Sequence, residues 1–195
     1  MKPHFSLTQY KTFDLAAFAV ILIVVEALIS LASSKWFPEQ LYTVSAVAGV
    51  TAIVMVRWKW FGAIHAVIGA LVLCVVFKSS LQQYLIYCVG NLLGVAGIFI
   101  VKLMREERMR KNALLAILYG LGVQVLMQTG RALMALILGY GIKNSIAFFA
   151  TDSLSLIFTA LIVFVASRQD GMLEEQVHYI RRLQEAEAAK ADTNN

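Results

Sequence analysis

Charge is scarce in this chain. Asp, Glu, Lys and Arg make up 15% of its 195 residues, against about 25% in an ordinary soluble domain. Apolar residues make up 59%, and mean hydropathy is +0.72. A soluble globular class is thereby excluded. The apolar residues form continuous blocks, not the alternating segments of about ten residues that membrane strands require. The composition predicts an all-α, polytopic membrane bundle. Cysteine is nearly absent. Cys74 and Cys88 lie within apolar runs at a spacing that fits no metal motif, and a disulfide framework needs more cysteines than these. They read as small buried hydrophobes. Catalytic signatures are missing as well. There is no H-E-x-x-H, no phosphate-cradling G-x-x-x-x-G-K-[ST] and no G-x-S-x-G. Neither an enzyme, a metal centre nor a cofactor is expected, and uphill transport would need energy from elsewhere.

What the chain has is a surplus of positive charge, net +5. Its placement argues against nucleic acid, because no polar domain carries it. Six spans fit the roughly 20-residue requirement of a hydrocarbon core: about 13–33, 41–56, 61–77, 81–101, 113–138 and 145–166. The first apolar stretch, about Leu15 to Ala32, exceeds the 7–15 residues of a signal h-region, so it is read as a retained span. With both termini inside, thirteen of the seventeen Lys and Arg fall on the cytoplasmic side. Only Lys35, Lys78 and Lys143 fall outside, and Arg131 lies within a span. This asymmetry predicts cytoplasmic N and C termini, in a bacterial plasma membrane. The expected organisation is a cytoplasmic N-terminus (1–12), a membrane domain (13–166) and a cytoplasmic tail (167–195). Leu173, Val177, Ile180 and Leu183 put one apolar face on a tail helix. The small polar residues beyond Ala188 predict a disordered end.

Ionisable residues inside spans are costly and mark polar interiors. Within the apolar runs there are four: Glu26, His65, Arg131 and Asp152. The orientation above places Glu26, Arg131 and Asp152 in the outer halves of three spans. Tyr84, Tyr87 and Asn91 descend from the outer end of a fourth, and Gln128 lies one turn from Arg131 on nearly the same face. Lipid cannot satisfy these groups, so they satisfy each other or a ligand. Two readings stand. One is an outward-facing pocket in which Arg131 grips a carboxylate or phosphate, Asp152 and Glu26 hold Arg131 or accept donors from the ligand, Tyr84 and Tyr87 stack on a ring, Asn91 and Gln128 hydrogen-bond it, and Trp36 and Phe37 form a lid. The other is an internal Arg131–Asp152 bridge that neutralises two buried charges. His65 reads as a histidine bonded to a neighbouring helix. Trp58, Trp60 and Phe61, with Arg57 and Lys59, read as an interfacial belt. Gly62, Ala66 and Ala70 form a small-residue seam, suited to packing within the monomer or to docking another membrane subunit. Gly90 and Gly94 form a second seam.

Four stretches carry a resemblance: Arg57-Trp58-Lys59-Trp60-Phe61-Gly62-Ala63-Ile64-His65-Ala66, Tyr84-Leu85-Ile86-Tyr87-Cys88-Val89-Gly90-Asn91, Thr129-Gly130-Arg131-Ala132-Leu133 and Thr151-Asp152-Ser153-Leu154-Ser155-Leu156. With its size and six spans, the chain from about Lys11 to Leu183 resembles the substrate-binding S component of energy-coupling-factor (ECF) vitamin transporters. The resemblance implies capture of a vitamin or related micronutrient at the outer face, and docking on a transmembrane coupling subunit with two cytoplasmic ATPases. It implies that Trp36 and Phe37 match a first-loop lid, and that Tyr84, Tyr87, Asn91, Gln128, Arg131 and Asp152 face the ligand. Family members commonly carry an alanine pair four apart on the first span. Here Ala16, Ala17, Ala19 and Ala27 are never four apart, and the Gly62 seam is the expected substitute. The alternative function is a membrane scaffold that recruits cytoplasmic partners through the basic 102–112 loop and the tail. An autonomous proton-coupled transporter ranks below both, since no repeat is evident.

Overall fold

The computed structural model describes residues 6–36 and 43–193, the side chains of 187–193 excepted. The described residues are helical, with no strand among them. The helices are α1 (Leu7–Trp36), α2 (Val47–Trp58), α3 (Gly62–Val76), α4 (Leu81–Asn91), α5 (Gly97–Met104), α6 (Glu106–Lys111), α7 (Ala113–Ile137), α8 (Gly141–Thr151), α9 (Ser153–Ser167) and α10 (Gln176–Thr193). A short 3₁₀ segment joins α4 to α5, making a continuous rod. Among the described residues, five helical stretches are long and apolar enough to cross a bilayer: Leu7–Trp36, Val47–Val76, Leu81–Met104, Ala113–Ile137 and Gly141–Ser167. The chain is a multi-pass membrane protein.

The Val47–Val76 stretch is not one straight rod. Lys59 adopts φ 53°, and the chain turns back through 59–61. Gly62 then lies against Met55, and Gly69 against Val47. Contact pairs in that order mean that α3 runs antiparallel to α2. All twelve residues of α2 are buried. A helix apolar all round belongs at the centre of a bundle, and α2 is packed by α1, α3, α7 and α9.

Burial on α1 is inverted relative to a soluble helix. Its inward stripe is Phe18, Leu22, Glu26, Ser30 and Ser33, while Val20, Ile21, Val24, Leu28 and Leu31 are exposed. Polar groups hide from lipid and apolar ones face it, as hydrocarbon solvent demands. On the opposite side α4 and α7 cross at close range. A Cβ on Gly130 would collide with the Gly90 carbonyl oxygen, and one on Gly90 would lie 2.7 Å from the Arg131 backbone. Only glycine lets the two backbones touch there, so the Gly90 seam is spent inside the protein. The Gly62 seam is spent there too. Gly62, Ala66 and Ala70 are buried on a helix packed by α1, α2 and α4. As an expected docking surface for a partner, this seam is corrected: it has no open face.

The two ends of the bundle differ. The near end holds the start of α1, the α2–α3 turn, α6 and α10. The far end holds Trp36, Thr43, the α3–α4 turn and the α7–α8 turn.

Candidate functional site

Local chemistry at the far end starts with caps. Ser80 and Gln83 form a capping box that starts α4, as an S-x-x-Q pattern dictates. Ala46, the N-cap of α2, has no side chain that can cap. Glu26 performs that task from α1, its Oε2 accepting from the Ala46 N–H at 2.8 Å. A carboxylate at a helix N-terminus satisfies an orphan donor and complements the helix dipole. Its other oxygen, Oε1, has no partner.

Arg131 lies at the α4–α7 crossing, 2% exposed. Its Nε donates to Asn91 Oδ1 at 2.7 Å, and its Nη1 donates to Asp152 Oδ2 in a salt bridge. Asn91 is oriented by its own donation to the Ala66 carbonyl, 3.2 Å. The guanidinium carbon sits 4.9 Å from the Tyr87 ring centroid, within cation–π range. Asp152 is 1% exposed and occupies the break between α8 and α9. Its Oδ1 accepts from the Thr43 hydroxyl. Thr43 also donates its N–H to the Thr151 carbonyl at 3.0 Å, and its own carbonyl accepts from Ser155 Oγ at 3.3 Å. The extended segment before α2 is thus tied to the α8–α9 joint.

A pocket of about 230 Å³ opens above this bridge. Thr43 and Tyr87 belong to both, and Phe77, Ser79, Gln83, Asn144, Phe148 and Thr151 complete the polar and aromatic lining. The Tyr87 and Phe148 rings meet edge to face, centroids 6.0 Å apart. Arg131 and Asp152 do not line the pocket. Among the described residues, no ionised side chain does. Hydroxyls, amides and three rings suit a small neutral or ring-bearing solute. No protein-family model, curated protein or solved structure matches the chain.

The predicted residues therefore divide. Arg131, Asp152, Asn91 and Tyr87 meet, and Glu26 caps α2 nearby. Gln128 is buried with its Nε2 unpartnered, as is Gln124 one turn away. Tyr84 is half-buried and does not line the pocket. Trp36 is 75% exposed and lines a separate apolar groove with Leu28, Val44, Leu154 and Phe158, so it is no lid on this pocket. Phe37 lies outside the described residues. Arg131 is bonded through Nε to Asn91 and through Nη1 to Asp152 and does not line the pocket, which accords with the internal-bridge alternative. Sequence reasoning missed Thr43, Asn144, Phe148 and Thr151. The hydroxyls and the amide near the ends of apolar runs were the available signal.

A second polar network occupies the near end. Arg57 donates Nε and Nη2 to the two carboxylate oxygens of Asp14, at 2.9 and 2.7 Å, and Nη1 to the Gly171 carbonyl at 2.6 Å. Trp58 Nε1 donates to Asp14 Oδ2 at 2.5 Å. Gln176, fully buried, donates to Gly171 O at 2.9 Å and accepts from the Tyr10 hydroxyl at 3.2 Å. The belt read at Arg57 and Trp58 is in fact a buried knot around Asp14. His65 is bonded as expected, its Nε2 3.1 Å from the Leu15 carbonyl. Glu106, Glu175 and His178 bring ligand atoms within 4.8 Å of one another. Glu175 is already paired with Lys59 at 2.7 Å, and Glu106 accepts from the Glu175 N–H. Burial holds the Glu106 carboxyl above its ordinary range.

Proposed function

We propose that this chain is the substrate-binding subunit of an ECF-type, ATP-driven importer that captures a vitamin-like micronutrient at the outer face. The far-end pocket, floored by Tyr87 and Thr43 over the Arg131–Asp152 bridge, is the observation that carries this reading. A charged pair inside a membrane bundle supports a polar interior facing a solute route. In this proposal the antiparallel arms α2 and α3 count as separate crossings, which makes six. The near end, rich in Lys and Arg, faces the cytoplasm of a bacterial cell. Coupling subunit and ATPases supply the energy. The solute presents a ring to Tyr87 and Phe148 and neutral polar groups to Gln83, Asn144 and Thr151. A carboxylate elsewhere on it would stay in water.

Purification from the native membrane followed by mass spectrometry of the released small molecules tests this. A single ring-bearing compound should co-purify in stoichiometric amount. Tyr87→Ala and Asn144→Leu should each release it and abolish its uptake by cells. Failure to retain any compound, together with uptake unaffected by both substitutions, would refute the proposal.

A further inference from the structure

A groove of about 420 Å³ lies at the near end. It runs between the first turns of α1, the α2–α3 turn and the start of α10. Leu7, Lys11, Lys59, Trp60, Phe61 and Val177 are among its lining residues. It shares no lining residue with the far-end pocket, and its chemistry is independent of any solute bound there.

The charges in the groove do not balance. Arg57 at its floor is neutralised by Asp14. Lys59 reaches Glu175 at 2.7 Å, yet its side chain remains 55% exposed. Lys11 has no carboxylate partner among the described residues. Its Nζ lies 3.4 Å from the Phe61 ring centroid and 5.8 Å from that of Trp58. One positive charge is therefore left over, held at a fixed place against aromatic faces.

The rim is apolar. Leu7, Trp60, Phe61 and Val177 are exposed there, and Trp60 is the most open at 61%. Ile64 is exposed one turn along α3 from Phe61, which continues the apolar rim toward the middle of the bundle. Tryptophans with lysines at a helix end mark the depth of lipid headgroups. Below that depth the neighbouring surface is hydrocarbon-facing, so an acidic peptide would leave Trp60 and Ile64 uncovered. Basic recesses between helices at this level suit lipid phosphates.

We infer that this groove binds one anionic phospholipid. Its phosphate sits between Lys11 and Lys59, its glycerol lies against Trp60, and an acyl chain runs along Phe61 and Ile64. Glu175 keeps Lys59 turned toward the groove.

Native mass spectrometry of the full chain released from lipid nanodiscs tests the site. In equimolar phosphatidylglycerol and phosphatidylcholine, the wild type should retain one phosphatidylglycerol. The double variant K11Q/K59Q should retain it about twenty-five-fold less, from roughly a five-fold loss per lysine near an anionic surface. The far-end double variant K35Q/K143Q should retain it as the wild type does. Equal retention by wild type and K11Q/K59Q, or equal loss in the far-end variant, overturns the inference. A measurement free of variants stands beside it. The wild type should melt higher in phosphatidylglycerol than in phosphatidylcholine nanodiscs, and inorganic phosphate added to the latter should not reproduce the rise. Identical melting in both lipids overturns the site, and a rise with inorganic phosphate overturns its assignment to lipid.

Discussion

Two buried arginine–aspartate pairs sit at opposite ends of the bundle, and they do different work. At the near end every Arg57 nitrogen is bonded, and Asp14 accepts from three donors. The pair ties α1, α2 and the segment after α9 together, and no Arg57 nitrogen is left over for a guest. At the far end Arg131 is bonded through Nε and Nη1, and Asp152 through both carboxylate oxygens. Around them stand unfinished groups: Glu26 Oε1, Ser30 Oγ and Gln128 Nε2 lack partners, and Tyr87 opens onto a pocket. A buried ion pair alone is weak evidence of either stability or function. The polar groups left beside it, and the space they face, separate a staple from a site.

Breaking the near pair should have the largest effect. Arg57→Ala leaves Asp14 buried without its main partner, and should cost about 3–5 kcal/mol of stability, read as the unfolding midpoint in detergent. Solute retention in the surviving folded fraction should be unchanged. A loss no greater than 1 kcal/mol, roughly that of an exposed pair, would erase the distinction drawn between the two ends. Gly130→Ala comes next. Its new methyl would meet the Gly90 carbonyl oxygen, so α4 and α7 must spread, at about 1–3 kcal/mol. Because Arg131 and Tyr87 straddle that crossing, ligand retention should fall in step with the unfolding midpoint. Unaltered retention would separate the pocket from the crossing. Glu26→Gln keeps an acceptor for the Ala46 N–H but removes the charge at the α2 N-terminus. It should cost about 0.3–1 kcal/mol without altering ligand identity. Trp36→Ala should be smallest, within about 0.5 kcal/mol, with unchanged binding. A Trp36 substitution that abolished retention would restore the lid expected from the sequence.

Much of this was legible in the residues. Long apolar runs located the helices, and depth arithmetic along them brought Arg131, Asp152, Asn91 and Tyr87 together from the sequence alone. The cap at Ser80 and Gln83 is written in four residues. Other features were not readable, for physical reasons. Lipid and protein interiors accept the same side chains, so no apolar pattern marks α2 as central. The Gly62–Ala66–Ala70 seam has the composition of any helix contact, and spacing does not say whether its partner is α2 or another chain. Asp14 lies at the start of the first apolar run, where no spacing pairs it with Arg57. Only the fold shows that Arg57 and Trp58 close around it. Glu26 reads as a ligand for a guest because its true partner is a backbone N–H, which no side-chain pattern announces.

The break at Asp152 has a mechanical meaning. Asn144, Phe148 and Thr151 ride on the short arm α8, while α9 beyond the joint is wedged against α2 and α7. One wall of the recess thus hangs from a fulcrum whose pin is the aspartate that grips Arg131. Because α8 also packs on α7, any shift of that arm must slide along α7 and would load the Asp152–Arg131 clasp.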